Sequence, residues 1–523
     1  MKNSRPSLLR SGSALSFLTL VSRILGLLRE MTKAALLGTT ALSDAFSVAF
    51  MIPNLFRRLF AEGSISVAFI PTLKEYLLEG DREKTKEFIS SIFTFLTFFV
   101  SLAVALGMLI CPLIIPVFSM KAFDETVFLT RFMFPFLAFI SIAALFQGIL
   151  NSVHVFAPSG LAPILLNLVT IACAYGLSSF TVNPARAMAI GIIIGGFLEA
   201  AIQFPFVWRN GFRFFFTGIG KALKNPGTKK VLILIGPTII GMAAYQINDL
   251  VSTALAGNAG EGVVSSLQYS LRLQELILGV FAVSIGTVLL PNLAEYAKRG
   301  QWIDYNRNLT QAMDIIALIT IPITFFFLTQ GDTLIRLLFQ TRSFDEDSVK
   351  LTLGAFLFHM PGLFFIALNR ILAPAFYAQS NTRSPTLAGI ISFAVNMILA
   401  ASMVGPLKGS GVALALTIAS AVNTALLLFF LGRNPNITAS KALGPAALYT
   451  LKLIFFSSFA ALPVLFIAPK LNPVFAGLNR NRFIRYGCPM VIEGLIFAVI
   501  GLCLLAFSKD RQLKAIVKIF RKS

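Results

Sequence analysis

The sequence predicts an all-α polytopic membrane protein: about fourteen transmembrane helices, built as two parallel six-helix lobes followed by two C-terminal helices. Three observations carry that expectation. Of 523 residues, 56% are hydrophobic and only 13% charged, whereas about a quarter of an ordinary soluble domain is charged; the mean hydropathy is +0.80. Apolar runs bounded by charges, Gly, Pro or Asn recur along the whole chain. A six-residue pattern returns at an offset of 220 residues.

Each run is long enough to cross a hydrocarbon core about 30 Å thick, which takes about 20 helical residues. In order they lie near 14–38, 44–71, 87–112, 125–151, 160–181, 186–208 and 229–256, then 262–292, 307–330, 347–378, 384–404, 409–432, 445–468 and 484–508. The first is interrupted by Arg23 and has no small-residue cleavage site after it, so it reads as a retained helix rather than a signal peptide. Orientation follows from the short basic stretches. Lys2, Arg5 and Arg10 open the chain; Arg209, Arg213, Lys221, Lys224, Lys229 and Lys230 fill the link after the sixth run without an acid; and the tail carries Lys509, Arg511, Lys514, Lys518, Arg521 and Lys522 against Asp510. With an even number of spans these fall on one side, which places both termini in the cytoplasm. Lys470, Arg480, Arg482 and Arg485 break the pattern, being basic on the predicted outer side.

The repeat sets Pro71-Thr-Leu-Lys-Glu75-Tyr76 against Pro291-Asn-Leu-Ala-Glu295-Tyr296, both closing a long apolar run. A weaker echo sets Phe134-Pro135 against Met360-Pro361. Six runs separate the copies, an even number, so the halves share one orientation about an axis along the membrane normal. The expected division is 1–220 for the first lobe, 221–435 for the second, and 436–523 for the last two helices and a basic tail.

Several functions are excluded or unsupported. Cys111, Cys173, Cys488 and Cys503 lie in apolar stretches without paired spacing, and with only His154 and His359 there is no sequence signal for a metal cluster. The bases are a minority on an apolar chain rather than a basic polar surface, so nucleic acid is not an expected partner. No G-x-x-x-x-G-K-[ST], H-E-x-x-H or G-x-S-x-G motif occurs, which leaves a built-in ATPase, zinc hydrolase or serine esterase unsupported. No catalytic residue and no cofactor are expected. Transport driven by membrane potential or by a Na⁺ or H⁺ gradient remains.

The chemistry concentrates in the first sixty residues. The first run holds Arg23, Arg29, Glu30 and Lys33; the second starts at Asp44 and holds Pro53, Asn54, Arg57, Arg58 and Glu62. An arginine at a helix centre costs about 2.5–3.5 kcal/mol on insertion scales, so four facing lipid would cost roughly 10–14 kcal/mol. They must face something polar. Arg23 and Arg29 are six residues apart, about 240° around a helix. The arginines read either as ion pairs with Glu30, Asp44 and Glu62 or side chains snorkelling to the interface, or, since bases outnumber acids, as a positive cavity whose guanidinium forks suit phosphate oxygens. In the second lobe Arg272 and Glu275 share a helix face by their spacing of three; they read either as a self-satisfied pair or as a further contribution to the cavity. Asp249 with Gln246 and Asn248, and Asn396 with Thr417, supply the oxygens that a cation or proton site needs, or ordinary hydrogen-bonded helix contacts. Gly191-x-x-x-Gly195 reads as a close-packing face.

At these residues the chain resembles the MurJ/MviN lipid II flippases of the multidrug/oligosaccharidyl-lipid/polysaccharide exporter superfamily. The resemblance rests on Ser22-Arg23-Ile-Leu-Gly26-Leu-Leu-Arg29-Glu30, Ser43-Asp44-Ala-Phe and Pro53-Asn54-Leu-Phe-Arg57-Arg58-Leu-Phe-Ala-Glu62-Gly63. Gly236-Pro237, Arg272-Leu-Gln-Glu275, Gly286-Thr-Val-Leu-Leu-Pro291, Leu338-Phe339-Gln340 and Leu372-Ala-Pro374-Ala-Phe376-Tyr377 extend it along nearly the whole chain. It implies fourteen helices in the bacterial cytoplasmic (inner) membrane and alternating access. The implied cargo is lipid II, an undecaprenyl-diphosphate-linked peptidoglycan precursor, moved from inner to outer leaflet for cell wall biosynthesis. By motif position, the resemblance implies that Arg23, Arg29, Arg57 and Arg272 bind the headgroup and that Asp44 and Glu275 set cavity charge or gate it; Arg58 and Glu62, charged neighbours on the second run, are grouped with the latter two. The resemblance also implies a lipid-tail groove on the last two helices. Some members have a cation site in the second lobe; here Ala400 rather than an acid follows Asn396 by one turn.

Two other readings compete. One is a flippase for a different polyprenyl-diphosphate-linked oligosaccharide, which charge alone allows. The other is a membrane-embedded polyprenyl-phosphate transferase, which needs paired carboxylates near the surface. Asp345, Glu346 and Asp347 form the one dense acid cluster, and a solvated helix start accounts for it.

Overall fold

A computed structural model describes residues 8–58, 68–433, 435, 437, 439–478 and 481–514. Among these the chain is a succession of helices: α1 (Leu8–Leu37), α2 (Ala41–Arg57), α3 (Ile70–Glu79), α4 (Arg82–Ile114), α5 (Phe123–Met133), α6 (Phe136–Ser152), α7 (Ala157–Leu177), α8 (Pro184–Arg209), α9 (Ile219–Lys224), α10 (Pro226–Asn258), α11 (Val263–Lys298), α12 (Trp302–Phe339), α13 (Glu346–Tyr377), α14 (Arg383–Gly432), α15 (Ala439–Leu478) and α16 (Cys488–Phe507). Among the described residues, nine helical stretches are long and apolar enough to cross a membrane. Every run expected from the sequence falls on one or more of these helices. Internal contacts divide the chain into two compact units, Met1–Ser265 and Ser266–Ser523, with the division in the first turn of α11.

The helices start where short polar side chains satisfy the first free amides. Asp81 accepts the Glu83 and Lys84 N–H groups at 3.1 Å ahead of α4. Asn183 takes the Arg186 N–H at 3.0 Å ahead of α8, whose first residue is Pro184. Asn225 does the same for Gly227 and Thr228 ahead of α10. Pro lacks the N–H that a first-turn position leaves unused, which is why it follows the cap in α8 and α10.

In the first unit Phe88 of α4 stacks on Phe69 and, at 4.6 Å between ring centroids, on Tyr76 of α3. Phe136, Leu73 and Phe46 join the same core. Gly191 and Gly195 let α8 approach α7: a Cβ on Gly191 would stand 2.7 Å from the Thr170 Cα, and one on Gly195 would stand 3.0 Å from the Leu166 Cα. In the second unit Leu293, Tyr305 and Phe376 are buried together, and the Tyr305 hydroxyl donates to the Ala375 carbonyl at 2.6 Å.

The repeat has a physical counterpart. Leu73 and Leu293, third in each copy of the six-residue pattern, are both fully buried, one in each unit's core. The weaker echo diverges. Pro135 lies where one expected span divides into α5 and α6, whereas α13 runs unbroken through Pro361. The eleventh and twelfth expected spans are the two helical halves of α14, which meet at a kink at Lys408, whose φ of 50° and ψ of −131° are non-helical. Leu73→Ala and Leu293→Ala should each lower stability by about 2–5 kcal/mol, the usual cost of truncating a buried leucine. Thermal unfolding of the purified protein checks this.

Candidate functional site

The cationic residues of α1 and α2 form a polar seam. Arg29 and Lys33, four apart on α1, both reach Glu30: Arg29 Nη2 lies 2.9 Å from Oε1 and Lys33 Nζ lies 3.4 Å from Oε2. Lys33 is buried, and its Nζ also donates to Ser47 Oγ of α2 at 3.0 Å. The Arg29 guanidinium sits 5.4 Å from the centroid of Phe50, again on α2. Further along α2, Pro53 removes one backbone donor from the helix, and the next residue, Asn54, accepts from Arg57 Nε at 2.7 Å. Arg23, Arg57 and Arg58 are half-buried. α1 runs unbroken through Gly26, which is buried, and the Asn167 side chain of α7 donates to the Ser22 carbonyl at 3.3 Å. Glu62 lies outside the described residues. Over residues 17–58 five bases face two acids.

Asp44, which the resemblance implies sets cavity charge or gates it, makes its hydrogen bonds at a second helix start. It is buried in the first turn of α2, and its carboxylate caps another helix. Oδ2 accepts the Gly262 N–H and Oδ1 the Ser265 N–H, each at 2.7 Å, at the start of α11. The favour is returned by Glu261, whose Oε1 accepts the Ala41 N–H at the start of α2 at 3.0 Å; its Oε2 binds Lys121 Nζ at 3.1 Å. Thr40 completes the α2 cap by accepting the Ser43 N–H. Gly262 has a φ of +78° and lies so close to Thr39 that a Cβ would run into the Thr39 carbonyl, so the contact requires glycine. Ala41 and Glu261 are 220 residues apart, the repeat offset. Two repeat-equivalent turns thus exchange carboxylates, each placed where a helix N-terminus is positive. Sequence reading missed Glu261; the repeat offset from Ala41 is the signal that could have found it.

The Glu261 carboxyl is held below its ordinary value of 4.5, chiefly by the Ala41 backbone amide and then by the Lys121 ammonium.

In the second unit Arg272 Nη1 contacts Glu275 Oε2 at 3.3 Å, with Arg272 about one-third exposed. The possible cation residues are distributed: Asp249 is in the first unit, Asn396 and Thr417 in the second. Thr417 donates to the Phe358 carbonyl at 2.7 Å, joining α14 to α13. Nearby, Ser270 Oγ lies 2.6 Å from His359 Nδ1, and Gln274 donates to the His359 carbonyl; both partners were unremarked in the sequence. No group of three or more Asp, Glu, His or Cys side chains suited to a metal occurs among the described residues. The acid cluster expected to start a helix does so. Asp345 caps α13 through the Ser348 N–H at 2.9 Å, and Glu346 grips Arg336 with two bonds at 2.5 and 2.8 Å.

The family model described as lipid II flippase MurJ matches residues 33–475. The chain belongs to the MurJ family. A relative from Treponema pallidum (strain Nichols), described as a probable lipid II flippase MurJ, is 45% identical over 513 residues, covering 97% of each chain. The solved structure of a lipid II flippase MurJ in an inward closed conformation superposes with a TM-score of 0.78 at 25% identity, over 95% of this chain and 98% of that one. An inward-facing multidrug resistance transporter of the MATE family gives a TM-score of 0.66 at 14% identity, over 78% of this chain and 93% of that one; this likeness is one of fold. As a MurJ-family protein the chain is a multi-pass membrane protein, as its composition predicts.

Glu261 supplies a pH test for the exchanged caps. Because its folded value is depressed, its contribution is fully present above 4.5 and is lost as pH falls through the depressed value. Wild-type stability should therefore drop over that acid range, and Glu261→Gln should flatten this part of the profile. Asp44→Ala removes both acceptors and should cost about 1–2 kcal/mol at neutral pH, read by thermal unfolding.

Proposed function

We propose that this protein is a lipid II flippase, carrying the undecaprenyl-diphosphate-linked precursor from the inner to the outer leaflet of the bacterial cytoplasmic membrane by alternating access. It acts as a transporter rather than an enzyme. One observation in the structure supports this reading above the family membership: both acids of the α1–α2 seam are already engaged. Glu30 holds Arg29 and Lys33, and Asp44 is spent on the α11 amides. The seam therefore keeps a positive surplus on two helices of an apolar chain, and the chemistry that answers such a surplus is a multivalent anion.

A diphosphate headgroup cannot cross hydrocarbon unaided, so a transporter must offer a polar, cationic path that opens to one leaflet at a time. Arg23, Arg29, Arg57 and Arg272 are the residues assigned to the diphosphate and its sugar-peptide. Asp44 and Glu275, with Arg58 and Glu62, adjust the balance of charge or hold a closed state. The exchanged caps of Asp44 and Glu261 suit the holding role: they have direct geometry, are confined to two turns and can be broken without unfolding a helix. The termini face the cytoplasm, as the basic tail and the 209–230 link indicate. Moving each net positive charge through the membrane field is worth about 2.3 kcal/mol per 100 mV, so the membrane potential can reset the empty carrier. A Na⁺ or H⁺ gradient acting through Asp249 or through Asn396 and Thr417 is the other candidate drive.

Lipid II leaflet distribution in proteoliposomes tests the reading; wild type should expose added inner-leaflet lipid II, and no exposure would overturn it. Arg29→Ala and Arg57→Ala should each cut the rate about tenfold or more, the worth of one charge-assisted hydrogen bond, while reaching the membrane in normal amount.

A further inference from the structure

The positive-inside rule leaves one basic cluster unexplained. α16 leads from Cys488 to Phe507 and on to the basic tail, so the turn between α15 and α16 lies at the opposite, outer end of the second unit. A loop there should be poor in Lys and Arg. Instead residues 470–487 contain no acid and four bases, Lys470, Arg480, Arg482 and Arg485.

Of the described acids at this end, Glu493 of α16 is fully buried and out of reach of solvent, and the acids around the start of α13 are engaged by their own neighbours. Asp332 and Glu346 both bind Arg336, at 2.7 and 2.5 Å. Asp345 caps α13, and Asp347 lies 3.5 Å from Lys350. No carboxylate of the described chain pairs with Lys470, Arg482 or Arg485. Arg482 seats the turn: Nη1 donates to the Gln340 carbonyl at the end of α12 at 3.2 Å, and its guanidinium lies 5.3 Å from the Phe483 ring centroid. Arg485 is exposed, its guanidinium 5.2 Å from the Tyr486 centroid, and Lys470 is exposed on α15. The end of α15 and the anchored turn thus carry two exposed cations, Lys470 and Arg485, with no carboxylate partner among the described residues.

The surface below them is apolar and in register. Leu448, Leu451, Phe455, Phe459, Leu462 and Phe466 are all exposed on α15 at spacings of three or four, and Lys470 takes the next position. At a rise of 1.5 Å per residue this stripe runs about 27 Å, close to the full hydrocarbon thickness of about 30 Å. A phospholipid chain covers one leaflet's half of it, whereas a long polyprenyl chain can follow all of it up to Lys470.

We propose that Lys470, on the last turns of α15, and Arg485, on the turn anchored by Arg482, form an outer landing site for the diphosphate of a polyprenyl lipid that has been carried across. It rests on the flippase reading and adds a second diphosphate site, where the released headgroup waits after leaving the cationic seam. The planar fork of Arg485 and the point charge of Lys470 match the doubled charge of a diphosphate better than the single charge of a phosphodiester.

Native mass spectrometry of the full-length protein with undecaprenyl diphosphate as probe tests this. Wild type should bind two lipids, and Lys470→Gln/Arg485→Gln should bind one, its second dissociation constant weakened about tenfold; both residues are exposed, so the variant should fold. Arg29→Ala should lose the other lipid. Two lipids retained by the double variant would overturn the proposal, as would displacement of the second lipid by an equal concentration of phosphatidylglycerol, which would mark a general phospholipid surface. If Arg29→Ala keeps both lipids while the double variant loses one, the cationic-seam reading fails and the outer site stands.

Discussion

An ionised side chain cannot be left facing hydrocarbon, and the arrangement of α1 and α2 depends on that constraint. Lys33, fully enclosed, is tolerated because Glu30 and Ser47 meet its ammonium. Arg29 is placed by the same Glu30 and by the face of Phe50. These contacts join the two helices along a polar line that packing of apolar side chains would not produce, and the arginines left half-buried along it face whatever polar medium the protein provides. Over residues 17–58 five bases share two acids, Glu30 and Asp44, so the charge of this segment is positive.

The exchange of carboxylates between the turns before α2 and α11 is a second consequence of economy with acids. A buried carboxylate without donors is costly, and Asp44 finds its donors on the first amides of α11 rather than among the neighbouring arginines. Placing it there stabilises a helix terminus and removes one negative charge from the cationic seam. Glu261 makes the matching arrangement at the turn one repeat away. The internal repeat is therefore more than a trace of shared architecture, since it brings like turns into a reciprocal hydrogen-bonded arrangement.

Much of this was legible in the chain. Apolar runs announce helices because the bilayer demands about 20 residues of one kind in a row, a local signal. The acid cluster at 345–347 reads as a helix start because capping needs only residues three apart. Leu73 and Leu293 were marked by the repeat. Proline was less informative. Pro135 coincides with a break between helices and Pro361 does not, because a helix tolerates proline wherever neighbouring groups satisfy the carbonyl it frees. The boundary between the eleventh and twelfth expected spans was legible too, because the Gly405-Pro406 pair and the kink at Lys408 fall between them.

What the sequence by itself determined is the class of protein, the order of its helices, the repeat and the presence of more intramembrane bases than acids. These depend on composition and short-range spacing. Only the tertiary structure decided which base each acid serves, that the Asp44 carboxylate caps α11, and that no described carboxylate pairs with Arg485 or Lys470. Such assignments join residues far apart in the chain, from 14 positions for Lys33 and Ser47 to 221 for Asp44 and Ser265. A carboxylate's choice among several reachable donors is made by the packing that brings one of them to 2.7 Å.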